Sequence, residues 1–269
     1  MLVDGHVHIW SADAARYPPR PIHGASAPTV DGTVEMVFDT LARHGVDAAV
    51  VVQPRAYGDD HTYLLDALAQ YQDRMVAVAA LDPRREGAAT ALAHLATKGI
   101  KGLRLDPLGW GARPLIDGTV LPLWDQAVRC GVAIELMIRP EQLTALGTLA
   151  SRTLEARVVV EHGARYGADP DEPLDSLLEL EARPNVTVKV SALSSISNES
   201  PPHRDLWPIL ERLVGVFGPE RLMWGSDMPW IGAEAYGAEL DAVASWPFVD
   251  RVGRTWLLGR TAARVFGLT

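Results

Sequence analysis

Asp4-Gly5-His6-Val7-His8 decides how the rest of the chain is read, because it has a counterpart far downstream in Trp224-Gly225-Ser226-Asp227. In an extended strand alternate side chains share one face, so His6 and His8 point the same way. Two imidazoles on one face, with a lone carboxylate on a much later strand, suit metal binding or water activation. The combination works only where the first and last strands are neighbours. A closed barrel makes them so.

Outward from these two segments, short apolar runs alternate with amphipathic stretches. Strands are expected at Leu2–Ile9, Ala48–Gln53, Met75–Leu81, Gly102–Leu105, Val132–Ile138, Arg157–Glu161, Val186–Val190 and Arg221–Trp224. Runs such as Ala48-Ala49-Val50-Val51-Val52 and Val158-Val159-Val160 are apolar on both faces, as parallel strands covered by helices must be. Helical patterns fill the gaps. Thr33–His44 ends at Gly45, a left-handed cap, and Asp60–Tyr71 follows the acidic pair Asp59-Asp60, which can cap free amides. Glu86–Thr97, Thr119–Arg129, Glu141–Ser151, Pro173–Ala182, Asp205–Phe217, Val249–Leu258 and Arg260–Phe266 complete the set.

Eight strands alternating with helices predict a single-domain (β/α)8 TIM barrel over residues 1–269. A doubly wound open sheet is the alternative. No glycine-rich nucleotide loop follows an early strand, and an open sheet would not make the first and last strands neighbours. Ser11–Asp31 reads as a long loop over the barrel mouth, and Ser194–Pro202 as a polar loop after the seventh strand.

Composition narrows the function. Apolar residues make up 48% and charged residues 22% of 269, ordinary globular usage. A net charge of −9 argues against a nucleic-acid partner, which needs a concentrated basic surface. Cys130 is the only cysteine, so no internal disulfide forms, and its helical position suits an apolar role. No apolar run reaches membrane-spanning length. The first strand begins at about Leu2, so no signal peptide is expected and the cytoplasm is the default compartment. A small-molecule substrate is the expected partner, and the reading leaves room for a homo-oligomer.

The active site of such a barrel gathers where its strands end. Those ends carry His6 and His8, then Gln53, Arg55 and Tyr57, then Arg104 and Asp106, then Arg139, then Glu161 and His162, then Lys189 and Ser191, and finally Ser226 and Asp227. A lone histidine in a strand is more often a satisfied structural residue, and Asp227 alone could cap a helix. Two same-face imidazoles at a barrel mouth, however, are costly to bury without a role. Lys189 can pair with Glu161 or Glu135. His44, His61, His94 and His203 are read as surface residues, and Trp124, Trp207 and Trp256 as core.

Taken together, Asp4-Gly5-His6-Val7-His8, Glu161-His162-Gly163 and Gly225-Ser226-Asp227-Met228-Pro229 resemble the amidohydrolase superfamily, in order and across the whole chain. Val51-Val52-Gln53, Gly58-Asp59-Asp60-His61, Leu81-Asp82-Pro83, Gly99-Ile100-Lys101-Gly102-Leu103-Arg104, Arg183-Pro184-Asn185-Val186 and Phe217-Gly218-Pro219-Glu220-Arg221-Leu222-Met223 place the resemblance in its lactonase branch. That branch includes 2-pyrone-4,6-dicarboxylate lactonase and sugar-lactone hydrolases. The chain departs from two-metal members: its fourth strand offers Arg104 rather than a bridging lysine or carboxylate, and Val132–Ile138 contains no histidine. Glu161 also replaces the aspartate common before this histidine.

The resemblance implies hydrolysis of a small carboxylated or sugar-derived lactone. Asp227 is then the general base, and His162, His6 and His8 serve the developing oxyanion. At most one divalent ion, zinc or manganese, would sit on His6, His8, His162 and Asp227, held weakly or dispensable. No organic cofactor is expected. Arg104, Arg139 and Arg55 would hold a substrate carboxylate, while Tyr57 and Lys189 would contact ring oxygens or hydroxyls. Two other readings stand beside this one: a single-metal non-oxidative decarboxylase of an aromatic or enoic acid, and a non-catalytic barrel that binds a ligand.

Overall fold

In the computed structural model, which describes residues 1–22, 24–110, 114–166 and 174–268, the eight expected strands form one parallel sheet in sequential order. They are β1 (Val3–Val7), β2 (Ala48–Val52), β3 (Met75–Ala80), β4 (Gly102–Leu105), β5 (Ala133–Leu136), β6 (Val158–Val160), β7 (Val186–Ser191) and β8 (Leu222–Gly225). Val7 bridges Met228, just beyond β8. Across the same seam His8 N donates to Met228 O at 2.6 Å and Asp227 N to His6 O at 2.9 Å. These bonds bring the first and last strands together, as a (β/α)8 barrel requires.

Small residues and one carboxylate make the seam possible. A Cβ on Gly5 would stand 2.4 Å from the Trp224 carbonyl oxygen, and one on Gly225 would stand 2.6 Å from the His6 Cβ. Glycine at both positions lets β1 and β8 approach. Asp4 then ties them together. Its Oδ1 accepts from the Ser226 amide at 2.9 Å and the His6 amide at 3.1 Å, and its Oδ2 accepts from the Tyr236 hydroxyl at 3.0 Å. Burial pushes the Asp4 carboxyl up to about 6.

Two apolar layers follow from the strand periodicity. One packs the outer faces of the strands against the helices and includes Val7, Val51, Leu103, Ile134 and Trp224. The other lies inside the barrel, where Val50, Val52, Val78, Ala133, Val159 and Met223 pack with Phe266 of the last helix. Two residues further along their strands, Ala133 and Val159 give way to Glu135 and Glu161. Side chains repeat every second residue, so these acids also face inward. The barrel interior is therefore apolar at its base and ionic toward the mouth.

Helix signals were placed within a residue or two. Thr33 Oγ1 caps the helix Val34–Arg43 by accepting from Met36 N at 3.3 Å, and Gly45 takes φ 68° after it. Asp60 Oδ1 accepts from Thr62 N at 3.1 Å at the start of Thr62–Gln70. Pro173, the expected start of the sixth helix, lies outside the described residues; the helix spans Asp175–Leu178 and is continued by a 3-10 turn to Ala182. A helix at Tyr236–Ala244 was not anticipated, and the helix Leu193–Ile196 overlaps the start of the expected polar loop Ser194–Pro202. Trp124 is fully buried, whereas Trp207 and Trp256 are only partly covered. His61 and His203 correct the surface reading. Both are buried, His61 on the Ala80 carbonyl oxygen at 2.9 Å and His203 on Glu239 at 3.1 Å. Among the described residues no helix is long and apolar enough to cross a membrane.

Candidate active site

Four side chains meet where β1, β6 and β8 end. His6 Nε2 lies 3.3 Å from His8 Nε2. Asp227 Oδ1 stands 3.7 Å from the first and 3.4 Å from the second. The His162 ring packs 4.6 Å, centre to centre, from that of His6. Asp227 is the accessible member, with its side chain 13% exposed, while the imidazoles are buried.

Local backbone sets these positions. His162, Ala192 and Asp227 follow β6, β7 and β8 closely, and each takes a left-handed φ, of 51°, 57° and 67°. Non-glycine residues rarely adopt that region, and such residues cluster at functional sites. Beneath the turn, His162 Nδ1 pairs with Ser191 Oγ at 2.9 Å, which leaves Nε2 for the cavity. Burial lowers the His162 pKa to about 4, so the ring is neutral in ordinary buffers. His6 is displaced in the same direction, first by burial and then by the neighbouring Lys189 ammonium.

Below this ring lie two buried ion pairs. Arg104 donates to Glu161 Oε2 through Nη2 at 2.8 Å and through Nε at 3.2 Å. Burial alone would raise the Glu161 pKa, but Arg104 holds it below the ordinary carboxylate range. The second pair is Lys189 with Glu135, whose two oxygens both lie 2.9 Å from Nζ. Glutamate rather than aspartate at 161 thus has a local reason: the longer side chain reaches the Arg104 fork.

Several anticipated substrate contacts are engaged with partners within the protein. Arg104 is 5% exposed and already carries Glu161. Arg55 forms a two-pronged ion pair with Asp106. Lys189, expected to reach ring oxygens, is wholly buried and turned to Glu135 and His6. Tyr57 is buried and its hydroxyl accepts from the Ser11 amide at 2.7 Å. Arg139 is exposed at the start of the turn Pro140–Gln142. A cavity of about 480 Å³ opens beside Arg104, lined also by Asp59, Arg84, Arg85, Asp106 and Trp110. There Arg84 is paired with Asp82 and Arg85 with Asp59. Trp230, not among the expected site residues, is half exposed and packed on Trp10 at 4.8 Å. Its position three residues after Asp227 was the available signal.

The donor set suits one divalent ion by type and spacing. Ligand atoms of His6, His162 and Asp227 lie within 4.8 Å of one another, and mixed imidazole and carboxylate sites hold zinc or manganese.

Comparison with known proteins identifies the family. Residues 3–268 match the Amidohydrolase family model, and the chain belongs to that family. It is therefore a hydrolase built on the amidohydrolase barrel. An L-fucono-1,5-lactonase of Burkholderia ambifaria is 30% identical, over 98% of this chain and 92% of its own. A 4-sulfomuconolactone hydrolase of Rhizobium radiobacter is 26% identical, over 85% and 76%. Among solved structures, a candidate 2-pyrone-4,6-dicarboxylic acid hydrolase of Pseudomonas putida superposes with a TM-score of 0.84 at 27% identity, covering 99% of this chain and 97% of that one.

Proposed function

We propose that this chain opens the ring of a sugar-derived lactone by attack of water at the mouth of the barrel. The relatives support ring opening, since all three carry names of enzymes that act on lactones. One observation favours the sugar over the carboxylated lactone. Arg55, Arg84, Arg85 and Arg104 are each paired with a carboxylate of the protein. Guanidinium–carboxylate pairs offer both donors and acceptors to hydroxyls, while a substrate carboxylate would have to displace an internal partner.

In this mechanism Asp227 accepts a proton from water as the oxygen adds to the lactone carbonyl carbon. The carbonyl oxygen becomes an oxyanion and is met by imidazole N–H groups of His6 and His162. Collapse breaks the bond to the ring oxygen, and protonated Asp227 returns its proton there. The product is an open hydroxy acid. A single ion on His6, His162 and Asp227, weakly held or dispensable, would add Lewis-acid polarisation of the carbonyl when bound. Arg104 and Glu161 support the floor of the cavity.

A pH-indicator hydrolysis screen over sugar lactones and over pyrone and muconate lactones, with and without chelator, tests the reading. Turnover of sugar lactones is expected to exceed that of carboxylated ones and to survive chelation. Carbon dioxide release from an aromatic or enoic acid, with no lactone opened and with loss on chelation, would instead establish the decarboxylase reading.

A further inference from the structure

Lys189 has three ammonium protons and three acceptors at hand. Two protons serve the Glu135 oxygens at 2.9 Å, and the third points to His6 Nδ1 at 3.3 Å. An ammonium cannot accept a hydrogen bond, so His6 Nδ1 must be the acceptor and carry no proton. The proton of the neutral ring then lies on Nε2. An imidazolium is disfavoured on the same ground, because its Nδ1–H would confront the ammonium. His8 is fixed in the opposite sense. Its Nδ1 lies 2.7 Å from the Val52 carbonyl oxygen and must donate to it, so the neutral ring carries its lone pair on Nε2. That lone pair faces His6 Nε2 at 3.3 Å. The donors therefore run in one direction, from Lys189 to His6 to His8 to the Val52 carbonyl.

We propose that Lys189 is a positioning residue that locks His6 as the Nε2-protonated tautomer, making it a hydrogen-bond donor to the reaction centre and a poor metal ligand. Histidines that hold metal ions ordinarily donate their distal N–H to a carboxylate or carbonyl, which leaves the ligating nitrogen bare. His6 has the reverse partner. Ligation through Nε2 would have to expel that proton to solvent or move it to Nδ1, against the ammonium. Asp227 Oδ1 stands 3.7 Å from His6 Nε2, on the side where that proton lies. The catalytic part of this proposal rests on the lactonase reading; the tautomer does not.

The test uses the full chain labelled with 15N-histidine, with the His6 signals assigned by His6→Gln. Long-range 1H–15N correlation spectra should show His6 protonated at Nε2. In the double variant Lys189→Met/Glu135→Gln, which leaves no buried ion unpaired, His6 should gain the Nδ1-protonated form. Zinc chloride titrated calorimetrically should bind about tenfold tighter, the scale on which outer partners tune metal sites. Zinc-free kcat should fall about tenfold with KM little changed, a step worth about 1.4 kcal/mol. Lys189→Arg keeps a donor that cannot accept and should retain Nε2–H. Wild-type His6 protonated at Nδ1, or an unchanged tautomer and zinc affinity in the double variant, would overturn the proposal. If the wild-type chain opens no lactone, the functional reading fails while the spectrum still decides the role of Lys189.

Discussion

Asp4 accepts from the backbone amide of Ser226 at 2.9 Å, so a carboxylate on the first strand holds the end of the last. The same side chain also holds the His6 amide and the Tyr236 hydroxyl. Asp4→Ala would orphan three buried donors and should cost about 3 kcal/mol or more in urea denaturation. Asp4→Asn should be milder, because its amide oxygen still accepts and its NH2 can donate to Tyr236. Equal losses for the two variants would show that these bonds do not carry the seam.

Asp227→Asn separates chemistry from folding. Position 227 takes φ 67°, a region that asparagine tolerates well and alanine does not. The variant should keep a wild-type melting temperature and lose about 100-fold or more in kcat on a sugar lactone, the scale of a lost general base. Near-normal turnover would remove Asp227 from that role.

Arg104 and Glu161 should behave as a unit. Arg104→Met alone leaves a buried carboxylate unpaired and should destabilise by about 3–5 kcal/mol. Adding Glu161→Met should recover most of that loss, as a double-mutant cycle of chemical denaturation would show. Additive losses would mean the pair is not coupled.

Acid sensitivity should have a histidine component. The His162 pKa is lowered to about 4 in the fold against an ordinary 6.5. The unfolded chain therefore binds a proton that the folded chain refuses, and stability falls as pH drops from 6.5 toward 4. His162→Gln should make that decline shallower in urea midpoints measured across the window. In turnover, His162 should contribute no step near pH 6.5 to kcat/KM. An unchanged stability slope in the variant would place the acid sensitivity elsewhere.

The barrel was legible because its signals are local and repeated: β-branched runs, helix caps at Thr33 and Gly45, and strands alternating with helices. The facing of His6 and His8 followed from strand periodicity alone. What escaped were the partners. Arg104 and Arg55 read as free cations because their carboxylates, Glu161 and Asp106, lie on other strands or strand ends, whereas for Lys189 the sequence left Glu161 and Glu135 open as partners and the fold selects Glu135. Which acid meets which base depends on the stagger of strands around the barrel, and no local pattern records it. His203 escaped similarly, since its burial depends on Glu239 in a helix that carried no recognised start signal.

Because β1 and β8 are adjoining staves, biosynthesis assembles this centre last. A nascent polypeptide that has left the ribosome with seven strands already holds every imidazole of the ring but lacks the acid. Translation products that stop before Leu222 therefore lack Asp227, and they leave the open edge of β1 without the partner that closes it.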